Sequence, residues 1–176
     1  VIHMDVNMIY FGRELQGLGD EIHAAIDDVI QRGWFILGDE VERFENRFAN
    51  VVGTEFGIGV NSGTDALILA LRALDVGSGD EVITVSHSAT ATSAAIVETG
   101  ANPVYVDIDE KSMLMDTEAV ESAITDNTAA IVPVHLYGDS VEMEPLERIR
   151  DKHDIPIVED CAQAHGTRYR DTPVGS

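Results

Sequence analysis

Two short segments bring together residue types that could hold a polar ligand. Asn61-Ser62-Gly63-Thr64-Asp65 follows a short apolar stretch and precedes a run of helical periodicity. Glycine there lets backbone amides approach an anion, and the following helix presents its positive end, which suits a phosphate. The same residues also read as a plain strand-to-helix turn capped by Ser62 or Thr64. The second segment is Glu159-Asp160-Cys161-Ala162-Gln163-Ala164-His165-Gly166. A carboxylate such as Asp160 can face a protonated ring nitrogen and keep it cationic, so that the ring withdraws electrons from a substrate carbon. A neutral group would stabilise that charge far less. Gln163 is close enough in sequence to give the same ligand a second polar contact, whereas Cys161 and Ala162 read as packing residues. Taken by itself, Asp160 is also a natural cap for a turn or helix.

Other chemistries are poorly served. No lysine follows the glycine loop as a Walker motif requires, and Gly57-x-Gly59-x-x-Ser62 lacks the third glycine of a dinucleotide fingerprint. No Gly-x-Ser-x-Gly elbow surrounds Ser62, which argues against a hydrolase nucleophile. The six histidines show no metal-binding spacing. His135 and His165 could converge near strand ends, but histidines so placed are more often hydrogen-bonded structural groups, and no metal is expected.

The elements that must position these segments alternate along the chain. Ile22, Ala25, Ile26, Val29 and Ile30 share a helical face that Gly33 ends, and a second helix begins near Asp39 with Val41, Phe44 and Phe48 in period. A strand over Gly57 to Val60 leads into the Gly63 loop, and Ala66, Leu67, Ala70, Leu71 and Leu74 form the next buried helix face. Strands are expected over Glu81 to Val85, Pro103 to Asp107, Ala129 to Leu136 and Ile155 to Glu159. Between them fall an alanine-rich helix ending near Gly100, a helix from an Asp116 cap through Ile124, and a helix over Glu144 to His153. This order predicts an α/β fold, a mainly parallel sheet wrapped by helices, with ligands beyond the carboxyl ends of the strands. At 176 residues, with no repeat and no evident linker, the chain reads as one domain or most of one, and Tyr169 to Ser176 reads as a turn into a further element.

Composition narrows the partners. A formal charge of -21, from 32 acidic against 11 basic residues, repels nucleic-acid backbones and anionic lipid surfaces, so neither is an expected partner. Acidity spread this evenly also suits a protein kept hydrated at high salt, which makes a halophilic source a hypothesis. Cys161 is the only cysteine, no apolar run approaches the ~20 residues of a membrane helix, and Val1 to Tyr10 lacks the character of a signal peptide. A cytoplasmic location is the default expectation.

Over nearly the whole chain, the ordered segments resemble the DegT/DnrJ/EryC1/StrS family of sugar aminotransferases. The matching stretches are Gly33-Trp-Phe-Ile-Leu-Gly38, Phe44-Glu-Asn-Arg-Phe-Ala49, Asn61-Ser-Gly-Thr-Asp-Ala-Leu67, His135-Leu-Tyr-Gly138 and Glu159-Asp-Cys-Ala-Gln-Ala-His-Gly166. Their order and spacing are specific together, and the block holding Asp160 and Gln163 is the most telling.

The resemblance implies a pyridoxal 5'-phosphate cofactor in the large domain of a fold-type I transferase. It would place Gly63 and Thr64 on the cofactor phosphate, Asp160 on the pyridine nitrogen and Gln163 on the ring hydroxyl. Ala89 falls where the family often has an aromatic residue stacked on the ring, and nearby His87 could compensate by turning inward. The Schiff-base lysine of similar proteins would lie beyond Ser176, since Lys111 and Lys152 both read as solvated surface groups. Residues 1–176 would then be a partial cofactor-binding large domain without the lysine-bearing segment and the small domain, inactive alone and poorly soluble. The family's reaction moves an amino group from a donor such as glutamate to a keto sugar, normally nucleotide-linked. A homodimer is also implied, with Trp34 and Phe35 either near the partner or packed internally. Two alternatives are a related sugar dehydratase, with histidine in place of the lysine, and a truncated regulatory or interaction protein without catalysis.

Overall fold

The structure, a computed structural model, describes residues 11–176. The Val1 to Tyr10 stretch, read above as lacking a signal peptide, lies outside them. The chain falls into two compact units, Val1–Phe44 and Glu45–Ser176. This division has no linker to mark it, because it falls inside a continuous helix, α3 (Asp39–Val52).

The first unit carries α1 (Gly12–Leu15) and α2 (Gly19–Arg32). Gly33 ends α2 in the left-handed region at φ 68°, where its amide bonds the carbonyls of Val29 and Ile30. The apolar face of α2 forms at the expected spacing, yet no residue of the helix is buried. Trp34 and Phe35 are each 69% exposed. Helical periodicity shows that a face is apolar and does not identify what covers it.

The second unit is a layered α/β arrangement. Its strands β1 (Glu81–Val85), β2 (Asn102–Val106) and β3 (Thr128–Ile131) form a parallel sheet in the order β2-β1-β3. Before β1 comes α4 (Gly63–Ala73), and α5 (Thr90–Thr99) joins β1 to β2. α6 (Thr117–Val120), continued by a 3-10 turn, precedes β3, and α7 (Met143–His153) follows it. Asp116 caps α6 through the Glu118 amide, as its position suggested.

Two clusters of buried side chains cover the sheet. Val82, Ala130 and Val132 pack with Leu67, Leu71, Ala95 and Ile96 of α4 and α5. Ile83, Val85 and Ile131 pack with Val120, Leu146 and Ile149 of α6 and α7. Alternate residues of β1 therefore enter opposite layers, which explains why so apolar a strand is stable only in the middle of the sheet.

Two expected strands differ. The Ala129 to Leu136 strand ends its ladder at Ile131, and the Ile155 to Glu159 strand appears only as two isolated parallel bridges, Ile131 to Ile157 and Val134 to Asp160. The interruption between the two bridges is caused by Pro133. The Ile131 amide bonds Pro156 O, Val158 N bonds Ile131 O, Asp160 N bonds Pro133 O and His135 N bonds Asp160 O. The rung between the second and third of these bonds would need an N–H that Pro133 does not have. The two segments still run side by side in one register, and this delivers Asp160 to the carboxyl edge of the sheet.

The expected strand over Gly57 to Val60 is absent, because its backbone is engaged by α3 instead. Gly57 packs so closely on α3 that an added Cβ would lie 2.6 Å from the Glu45 carbonyl oxygen, and the Gly59 amide donates to Glu45 Oε1 at 2.6 Å. Near the end of the chain, β4 (Arg168–Tyr169) and β5 (Thr172–Pro173) form a small antiparallel hairpin. No helix of the described residues is long and apolar enough to cross a membrane.

Candidate cofactor cleft

At the carboxyl edge of the sheet, the second unit contains a cleft of about 630 Å³. Gly63, Thr64, Ala89 and Asp160 all line it. They come from three segments: the start of α4, the turn before α5, and the loop after the Pro133-interrupted pairing.

The start of α4 is closed by a side-chain cap. Ser62 is the N-cap, and its Oγ accepts the Asp65 amide at 3.1 Å. Its hydroxyl also meets Asp65 Oδ2 at 2.9 Å, and Asn61 Nδ2 donates to the same oxygen at 3.1 Å. The Ala66 amide bonds Ser62 O. Among the described residues, the amides of Gly63 and Thr64 are thus left without a partner at the positive end of an eleven-residue helix. The turn is capped by Ser62, as one of the two sequence readings had it, and the capping leaves two amides free. A Cβ built on Gly63 meets nothing within 4 Å, so the space beside these amides is open.

Across the cleft, Asp160 Oδ2 accepts the Thr92 hydroxyl at 2.9 Å and Oδ1 accepts the Ala162 amide at 3.2 Å. Asp160 thus caps its own turn through one oxygen while the other is tied to α5. Thr92, on α5, is 1% exposed and also lies 2.9 Å from Ser88 Oγ. Thr92 had no role in the sequence reading. Its one available signal was its place in the first turn of α5, four residues after Ser88 in the preceding turn.

Other expected residues lie elsewhere. Gln163 does not line the cleft; its Oε1 is 3.4 Å from the Tyr137 amide, and its carbonyl accepts the Gly138 amide at 3.0 Å. His87 does not turn into the cleft beside Ala89, because its Nε2 pairs with the Tyr137 hydroxyl at 3.2 Å. His165 does line the cleft, edge-on to Phe48, and does not meet His135 in any described contact.

His135 is fully buried and has both nitrogens in use. Nδ1 accepts the Val141 amide at 3.0 Å, which leaves Nε2 to donate to Glu159 Oε2 at 3.0 Å. Donor atoms of His135, Glu159 and Cys161 lie within 4.8 Å of one another. The chemistry of this trio is unfavourable for a metal, since the histidine has no lone pair to spare. Burial, and then the charges of Glu159 and Asp160, push the Cys161 thiol up to about 12, so no thiolate is at hand.

Free amides at a helix start, open space beside a glycine and a carboxylate after the last bridge of the sheet thus line one apolar-walled cleft. The chain belongs to the DegT/DnrJ/EryC1/StrS aminotransferase family, whose model matches residues 16–176. It is 49% identical over 156 residues to dTDP-3-amino-3,4,6-trideoxy-alpha-D-glucose transaminase of Streptomyces venezuelae, covering 89% of this chain and 41% of that protein. A pleiotropic regulatory protein of Geobacillus stearothermophilus is 41% identical, over 98% of this chain and 46% of the relative. The chain therefore spans less than half the length of these relatives.

Among solved structures, S. venezuelae DesV in complex with a ketimine intermediate matches with a TM-score of 0.94 at 46% identity, over 97% of this chain and 46% of that one. Bacillus subtilis ntda with bound cofactor PMP matches with a TM-score of 0.84 at 31% identity, over 93% and 38% of the two chains. The fold is thus that of pyridoxal-phosphate-dependent aminotransferases, as the sequence resemblance implied.

Proposed function

We propose that residues 1–176 form the cofactor-binding part of a sugar aminotransferase that uses pyridoxal phosphate. The observation that carries this reading is the convergence of the free Gly63 and Thr64 amides and the Asp160 carboxylate on one cleft. The two amides, at the positive end of α4, would hold the phosphate. Asp160 would keep the ring nitrogen protonated, and Ala89 would lie against the ring. Gln163 lies outside the cleft lining with its Oε1 at the Tyr137 amide, so its proposed contact with the ring hydroxyl would need the side-chain N–H to turn inward. Pyridoxal phosphate, when bound, supplies an electron sink for charge developing at a substrate carbon.

The residue that bonds the cofactor covalently belongs, in this reading, outside residues 1–176. Lys152 is paired with Glu121, Lys111 sits in a turn closed on Asp109, and neither lines the cleft. These residues alone, a partial large domain, would then bind cofactor without transaminating. The whole protein would move an amino group from a donor such as glutamate to a keto sugar, nucleotide-linked by analogy with the dTDP-sugar transaminase. The homodimer and the cytoplasmic setting belong to the same reading, the former favoured by the exposed Trp34 and Phe35.

Saturable binding of pyridoxal phosphate, competed by pyridoxamine phosphate but not by unphosphorylated pyridoxal, is the expected result. Equal affinity for pyridoxal would contradict the phosphate role of α4. The similarity to a pleiotropic regulatory protein favours a second reading, a regulator that keeps the cleft. Cofactor binding by the whole protein with no turnover of any amino donor would support that one.

A further inference from the structure

The three side chains Ser88, Thr92 and Asp160 form a chain of hydrogen bonds that runs from the turn after β1 to the strand-end carboxylate. Thr92 Oγ1 lies 2.9 Å from Asp160 Oδ2 and 2.9 Å from Ser88 Oγ. An ionised carboxylate only accepts, so the single hydroxyl proton of Thr92 goes to Asp160. The proton between Ser88 and Thr92 must then come from Ser88. The direction of the whole relay is fixed, Ser88 to Thr92 to Asp160.

We infer that Thr92 is a positioning residue which, held by Ser88, fixes the carboxylate of Asp160 for contact with the ring nitrogen of the cofactor. This inference rests on the reading of Asp160 given above. Oδ2 is tied to α5 by Thr92 and Oδ1 to the Ala162 amide at 3.2 Å, so both oxygens are held and the carboxylate plane cannot rotate freely. Each oxygen keeps a further lone pair for a ligand. Thr92 is 1% exposed, so water cannot replace its hydroxyl if it is lost. Ser88 stands next to Ala89, which lines the cleft, so the relay also ties the cleft wall to the carboxylate that faces it.

Thr92→Val keeps the shape of the side chain and removes the donor; Thr92→Ser keeps the donor. The affinity of each form of the 176-residue chain is measured for pyridoxal phosphate and for an analogue with carbon in place of the ring nitrogen. Thr92→Val is expected to weaken pyridoxal phosphate about tenfold, the scale of one buried hydrogen bond to a charged group, to leave the analogue unchanged, and to be rescued by Thr92→Ser. Equal weakening of both ligands would mean a merely structural role and overturn the inference. So would unaltered binding by Thr92→Val alongside weakened binding by Asp160→Asn. Unaltered binding by Asp160→Asn would instead remove the reading of Asp160 itself. Should Thr92→Val fail to fold, Ser88→Ala, which breaks only the outer link, is expected to give a smaller loss with the same selectivity, and loss for neither or both ligands would overturn the inference.

Discussion

Ser62 and Asp65 close the first turn of α4 on each other: the Ser62 Oγ accepts the Asp65 amide at 3.1 Å and lies 2.9 Å from the Asp65 carboxylate. The cap satisfies the third amide of the helix and leaves the first two for a ligand. Ser62→Ala should therefore destabilise the chain by about 1 kcal/mol, read from the urea midpoint. An unchanged midpoint would show that the cap contributes nothing.

Gly57 allows the segment after α3 to lie on that helix. A Cβ would approach the backbone oxygen of Glu45 to 2.6 Å, and backbone cannot move aside as a flexible side chain can. Gly57→Ala is expected to cost about 1–3 kcal/mol, measured by chemical unfolding, as for other overpacked positions. Wild-type stability would contradict the close packing.

This contact also marks where the sequence misled. Gly57 to Val60 has the short apolar character of a strand, but strand formation needs a partner, and here Glu45 takes the Gly59 amide. Pro133 was visible in the expected Ala129 to Leu136 strand, and its missing N–H explains why the ladder breaks there while the register continues. The central strands, the helices and the Gly33 and Asp116 boundaries were legible because each rests on local periodicity or capping. Gly63 was legible as the start of a helix and Asp160 as the end of an apolar segment, although the strand expected before Gly63 is absent. Thr92 was not, because its role depends on a contact with a residue 68 positions away. The exposure of Trp34 and Phe35 was equally beyond local pattern.

Cys161 should be a slow thiol in the folded chain, since burial and the neighbouring carboxylates push it up to about 12 from an ordinary value of 9.0. Alkylation at about pH 8 should proceed much faster after unfolding. The sign for stability follows. The folded thiol holds its proton more tightly than the unfolded one, so the stability is intact below about 9 and declines as pH rises toward about 12. Cys161→Ala should flatten that decline. Rapid native-state alkylation would contradict the burial.

A net charge of -21 on this length of chain implies self-repulsion that salt should relieve. Raising salt from about 0.1 M to about 1 M shortens the screening length from about 10 Å to about 3 Å, and the thermal midpoint should climb with it. A flat response would remove both the repulsion and the halophilic hypothesis.

The most direct measurement is an absorbance titration with pyridoxal phosphate of the wild-type chain, Gly63→Val and Asp160→Asn, followed by borohydride reduction. Gly63 borders open space, so Gly63→Val should leave the fold intact while weakening binding, and Asp160→Asn should weaken it through the ring nitrogen. No reduced adduct should form at Lys111 or Lys152. Saturable binding indifferent to both substitutions, or specific trapping at either lysine, would contradict the cleft as the cofactor site.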